Sequence, residues 1–167
     1  LRGVLFAPLL HANWDHLIAN TLPALVLGFL MTLAGLWRFV AATAIIWVVG
    51  GLGTWLIGNI GVRCPYVGVQ CTSNHIGASG LIFGWLAFLI VFGFFTRKMW
   101  EIVVGVVVLF LYGSVLLGVL PGTPGVSWQG HLCGALAGVL AAYLLSGPER
   151  RARERRKART TNPYLTP

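Results

Sequence analysis

The sequence has little charge. Of its 167 residues only 10% are Asp, Glu, Lys or Arg, and only four are acidic, against about 25% charged in an average soluble domain. Nine of those charges crowd into residues 149–159, ERRARERRKAR, so the rest of the chain cannot clothe a water-exposed surface. With 57% hydrophobic residues and a mean hydropathy of +0.81, a soluble enzyme and a disordered linker are excluded. The shortage of acid leaves a net charge of +8, but the short basic stretch holds seven bases and two acids and accounts for +5 of it. No basic face remains for nucleic acid. Cysteine is scarce too. Cys64 and Cys71 share one loop and Cys133 lies in an apolar run, which fits no disulfide scaffold and allows at most one loop bridge, in an oxidising compartment. The chain does not begin with Met, and residues 1–10 are too short an apolar stretch to span a bilayer or to form a signal-peptide core. It is expected to be a fragment or processed form of something longer. Repeats of about 20 to 50 residues are also missing, which argues against a solenoid or an inverted-repeat transporter.

What is present is apolar length. Runs of about 20 residues, enough to cross hydrocarbon, occur at 16–37, 39–60, 77–96, 101–120 and 127–146. The expected fold is an all-α polytopic membrane protein with five transmembrane helices, a membrane domain over 1–147 and a basic tail over 148–167. Arg38, Arg97, Lys98 and the seven tail bases fall on one side of the bilayer, and only Arg2 and Arg63 on the other. The positive-inside rule makes the first side cytoplasmic. His11, His16, His75 and His131 all fall toward the opposite end. Histidine is the side chain most suited to proton transfer near neutral pH, so the extracytoplasmic half is where chemistry is expected.

Spans one, three and five run in the same direction, and distance from the cytoplasmic charge measures depth in each. Asn20 precedes Arg38, Ser79 precedes Arg97 and His131 precedes Glu149, each by 18 residues. At 1.5 Å per residue all three lie about 27 Å above the inner face. His16 stands one turn above Asn20 on the same helix face. Buried polar groups at that depth are costly unless paired, and they mark functional sites by default. Singly, each has a structural reading: Ser79 bonding to its own helix, Asn20 joining two helices, His131 satisfying an internal hydrogen bond. Their shared level favours a site.

Glycine supplies close approach. Gly130, Gly134 and Gly138 repeat every four residues and Gly80 and Gly84 form a second pair beside Ser79, so the third and fifth helices can approach closely enough for a serine–histidine hydrogen bond. No carboxylate lies at that level, which points to a Ser79–His131 dyad rather than a triad. His16, the Asn20 amide and the backbone N–H of Ser79 at a helix start are suited to an oxyanion. His75, four residues before Ser79, is the competing base, placed about 6 Å higher by helix rise. Cys64, Cys71 and His75 match no common zinc spacing, and neither metal nor cofactor is expected. Trp14, Trp55, Trp100 and Trp128 read as interfacial anchors. A channel or transporter would place polar residues through the full thickness, whereas the inner halves of these helices are almost wholly apolar.

Three motifs in order, His11-Ala12-Asn13-Trp14-Asp15-His16-Leu17-Ile18-Ala19-Asn20, Gly77-Ala78-Ser79-Gly80 and Gly130-His131 through Gly134 to Gly138, resemble the rhomboid family of intramembrane serine proteases of bacterial type. The resemblance covers nearly all of the membrane region. It implies a rhomboid-like helical bundle, with Ser79 as nucleophile, His131 as base, and His16 and Asn20 at the oxyanion hole. Gly77, Gly80, Phe83, Gly134 and Gly138 are expected to pack around the dyad. The implied substrates are transmembrane proteins in the lipid bilayer of a bacterial plasma membrane, cut from the extracytoplasmic side. The resemblance implies a six-helix core, of which five helices are expected in this sequence and the first would be the one not represented. Many relatives carry tyrosine where this chain has Phe83, whose ring can still stack on the imidazole. The alternative is a catalytically silent rhomboid-like protein that binds membrane clients.

Overall fold

The computed structural model describes residues 2–60, 74–122 and 125–161. Among them every regular element is helical. A short helix α1 (Arg2–Phe6) runs into a single 3-10 turn, Ala7–Leu9. Five helices long and apolar enough to cross a membrane follow: α2 (Trp14–Leu33), α3 (Leu36–Ile57), α4 (Ser79–Thr96), α5 (Met99–Val119) and α6 (Trp128–Leu145). The basic segment forms α7 (Gly147–Thr161). The chain is thus an integral membrane protein with the all-α bundle anticipated from its apolar runs.

The spans begin and end where local chemistry dictates. Asn13 caps α2 by accepting the His16 N–H at 2.9 Å, and Asp15 lies in the first turn, where a negative charge favours the helix dipole. Ser127 caps α6 by accepting the Gly130 N–H at 3.1 Å. Between α2 and α3 the chain turns at Ala34–Gly35, earlier than the break expected at Trp37–Arg38. Gly35 has φ +113°, a conformation glycine adopts at little cost. Arg38 therefore sits inside α3, its Nη1 donating back to Ala34 O at 3.3 Å. Counting depth from Arg38 to Asn20 crosses that turn. Asn20 is better placed from the start of its own helix, six residues below Trp14, or about 9 Å.

α4 is the centre of the bundle: 61% of its spanning window is buried, against 11–17% for α2, α3 and α5. It is apolar all round, as a helix that meets protein on most sides and lipid on the rest must be. Its closest partner is α6. A Cβ on Gly134 would overlap the Gly80 carbonyl oxygen, and one on Gly138 the Gly84 carbonyl, so the two backbones touch and no larger residue fits either place. α3 joins them through a π turn at Ile46–Gly50, where a Cβ on Gly50 would come within 3.3 Å of Gly134 Cα. Trp47 in that turn donates its indole N–H to Val4 O and Leu5 O at 3.1 and 3.2 Å, which anchors the amino-terminal segment on α3. At the other end of the bundle, Glu149 accepts hydrogen bonds from Arg38 and, at 2.9 Å, from Lys98. Burial alone would raise the Glu149 pKa, but the bonds from Lys98 and Arg38 prevail and hold it below the usual carboxylate value.

Candidate active site

α4 opens on Ser79, and α6 reaches His131 as its fourth residue. The glycine contact below them sets their separation. Ser79 Oγ lies 2.9 Å from His131 Nε2, and His131 Nδ1 lies 3.0 Å from Gly118 O. A carbonyl can only accept, so Nδ1 carries the hydrogen; in the neutral ring Nε2 is then the acceptor and the Ser79 hydroxyl donates to it. The tautomer is the one a general base requires. Gly118 fills the orienting position that a carboxylate occupies in a triad. It lies in the 3-10 portion of α5, Gly113–Val119. Phe83, one turn after Ser79, stacks on the imidazole at 3.9 Å between centroids and 10° between planes. A Cβ on Gly118 would come within 2.9 Å of Phe83 Cζ and 3.2 Å of His131 Nδ1, so the ring is gripped from two directions. Among the described residues, Ser79 Oγ makes no hydrogen bond besides that to His131.

His16 and Asn20 approach the same place from α2. Gly77, at φ +114°, turns the chain into α4, and a Cβ there would meet His16 Cε1 and Nε2 at 2.7 Å and Asn20 Nδ2 at 3.5 Å. Glycine at this position therefore lets both side chains reach the backbone just before Ser79. Asn20 is 8% exposed, and its Nδ2 is buried with no hydrogen-bond partner among the described residues. An unsatisfied buried donor costs about 1–3 kcal/mol, so it is a group waiting for an acceptor. The first amides of a helix lack intrahelical acceptors too, and those of α4 begin at Ser79. His11 meets His16 edge-on at 5.2 Å.

A cavity of about 510 Å³ opens beside the serine, bounded by Trp47, Thr54, His75, Gly77, Ser79 and Ser127 among others. His75 does not face Ser79 as a base would. Its Nδ1 lies 2.5 Å from Ser127 Oγ and its Nε2 2.9 Å from Gly58 O. Cys64 and Cys71 lie outside the described residues. Two participants escaped the sequence reading. Gly118 acts through its main chain, which no residue type signals. Ser127 could have been read as a cap from its place before an apolar run, but nothing local announces its pairing with His75.

A family model described as "Rhomboid domain" matches residues 1–148. An uncharacterized protein of Mycobacterium tuberculosis is 68% identical, over 99% of this chain and 68% of its own length. One from Mycobacterium leprae is 60% identical, over 99% of this chain and 64% of its own length. A protein of Acanthamoeba polyphaga mimivirus that is named as a rhomboid protein is 27% identical, over 83% of this chain and 72% of its own length. No solved structure matches the chain at comparable significance.

Proposed function

The chain belongs to the rhomboid family, and from that premise we propose that it is an intramembrane serine endopeptidase acting through Ser79 and His131. The observation that carries this reading is the 2.9 Å contact between Ser79 Oγ and His131 Nε2, set within an apolar bundle and beside a cavity. In the proposed reaction the Ser79 oxygen attacks the carbonyl carbon of a peptide bond while its proton passes to His131 Nε2. The imidazolium so formed donates from Nδ1 to Gly118 O. Negative charge on the former carbonyl oxygen is met by the Ser79 N–H, the Asn20 amide and His16. His131 then returns the proton to the leaving amine, which departs as the carbon–nitrogen bond breaks. A water, deprotonated by His131, releases the acyl group from Ser79 and restores the hydroxyl.

The substrates proposed are other transmembrane proteins, cut in or beside their spanning segments, because the serine opens α4 at one end of a lipid-embedded bundle. The basic residues Arg38, Arg97, Lys98 and those of α7 gather at the other end, which on the positive-inside rule supports a cytoplasmic tail from residue 148 and a dyad near the extracytoplasmic face of a bacterial plasma membrane. Phe83 holds the imidazole by stacking, which needs no hydroxyl. Co-reconstitution of the purified protein in liposomes with a panel of single-span reporter proteins tests the reading. Cleavage that disappears in Ser79→Ala is expected. Client capture without cleavage by the unaltered protein would favour the silent binder.

A further inference from the structure

A second serine–histidine pair stands beside the first with the two residues exchanged between chain segments. His75 lies four residues before Ser79 and Ser127 four before His131. In the neutral His75 ring, chemistry sets the direction of both ring-nitrogen bonds. Gly58 O can only accept, so His75 Nε2 donates to it at 2.9 Å, and the Ser127 hydroxyl donates to Nδ1 at 2.5 Å. The same Ser127 oxygen accepts the Gly130 N–H that opens α6. Gln129 adds a tie in the same place, its Nε2 donating to Ile60 O at 2.8 Å. The first turn of α6 is thereby bound through side chains to the exit of α3 and to the segment that enters α4.

We infer that His75 is a positioning residue: by orienting the Ser127 hydroxyl it fixes the first turn of α6, and with it His131, relative to Ser79. The role deepens the protease reading and rests on it. Ser127 is not a second nucleophile, because its oxygen is already engaged in capping α6 through the Gly130 N–H. His75 is not the base for Ser79, because both ring nitrogens are directed elsewhere. A satisfied polar network of this kind rigidifies what it joins, and the dyad needs rigidity, since a displacement of about 1 Å at a reacting group can cost about 10²-fold in rate.

The test compares the full chain with His75→Phe, His75→Gln, Ser127→Ala and the double variant His75→Phe/Ser127→Ala. Readouts are kcat and KM on a cleaved reporter, the rate of reaction with a fluorophosphonate probe, and Tm. Glutamine can donate to Gly58 and accept from Ser127, so it should restore what phenylalanine removes. His75→Phe and Ser127→Ala should each lower kcat and probe rate by about 10–100-fold with KM little changed. The double variant should be no worse than the worse single one, as expected of residues in one network. His75→Gln should stay within a few-fold of the unaltered protein. A fall in Tm with unchanged probe rate would overturn the inference, as would His75→Gln as inactive as His75→Phe. If His75→Phe does not fold, Ser127→Ala carries the same comparison. Failure of the unaltered protein to react with the probe would instead sink the protease reading. Hydrogen exchange at the Gly130 and His131 amides then decides the brace by itself: acceleration in His75→Phe with recovery in His75→Gln supports it, and unchanged exchange overturns it.

Discussion

Two serine–histidine pairs lie side by side at one end of this bundle, and they have almost the same internal geometry. In each, one ring nitrogen donates to a main-chain carbonyl, Gly118 O or Gly58 O, and the other faces a serine hydroxyl. What separates them is the serine. Ser79 opens its helix beside Gly77 and the unpartnered Asn20 amide, with its oxygen committed to nothing but the imidazole among the described residues. Ser127 caps its helix, and its oxygen already accepts the Gly130 N–H. Residue identity and a good hydrogen bond do not make a nucleophile. A free lone pair, room for a carbonyl carbon and donors for an oxyanion are needed as well.

The sharpest break between the pairs lies in removing each serine. Ser79→Ala or His131→Ala should reduce reporter cleavage to background, a loss of about 10⁶ in kcat where nucleophile and base act as a unit. Ser127→Ala should leave activity readily measurable in the same assay. Equal loss from both serines would erase the distinction drawn here.

The proposed oxyanion donors provide the next contrast, since His16 and Asn20 approach Gly77, beside Ser79. Asn20→Ala should lower kcat by about 10²–10³, the usual effect of one lost donor, with KM nearly constant because the charge it meets appears only in the transition state. A raised KM at constant kcat would make Asn20 a binding or packing residue. Smaller still is the effect of prising the helices apart. Gly134→Ala puts a methyl group onto the Gly80 carbonyl, which should cost about 1–3 kcal/mol of stability as overpacking and stretch the Ser79–His131 contact. Thermal denaturation and probe rate measured together would show both.

Legibility in the sequence followed the same division. The five spans could be read because apolar length is a property of composition, and the Ser79–His131 pairing because glycine spacing dictates close approach of two helices. The turn at Gly35 was misplaced to Arg38 because a charged residue draws attention while a positive-φ glycine carries no charge. Gly118 and the His75–Ser127 bond were illegible for a different reason: they depend on tertiary placement of a carbonyl and a cap that sequence spacing does not encode.

The smallest effect expected is at the end of the bundle far from both pairs. Glu149 has its pKa lowered by Lys98 and Arg38 against the opposing effect of burial, so its contribution to stability is present above the ordinary carboxylate pKa and is lost as pH falls through the lower value in the folded protein. Glu149→Gln should remove about 1–2 kcal/mol at neutral pH, between an exposed and a buried pair, flatten the acid limb of the stability curve, and leave the rate at Ser79 unchanged. A pH-stability profile with and without the substitution checks it.

The claim that surroundings rather than residue type select the nucleophile is tested most directly by locating the adduct. The full-length protein is treated in liposomes with a fluorophosphonate, digested, and mapped by mass spectrometry. The account predicts modification of Ser79, none at Ser127, and loss of the Ser79 adduct in His131→Ala. An adduct on Ser127, or on Ser79 at an undiminished rate without His131, would contradict it.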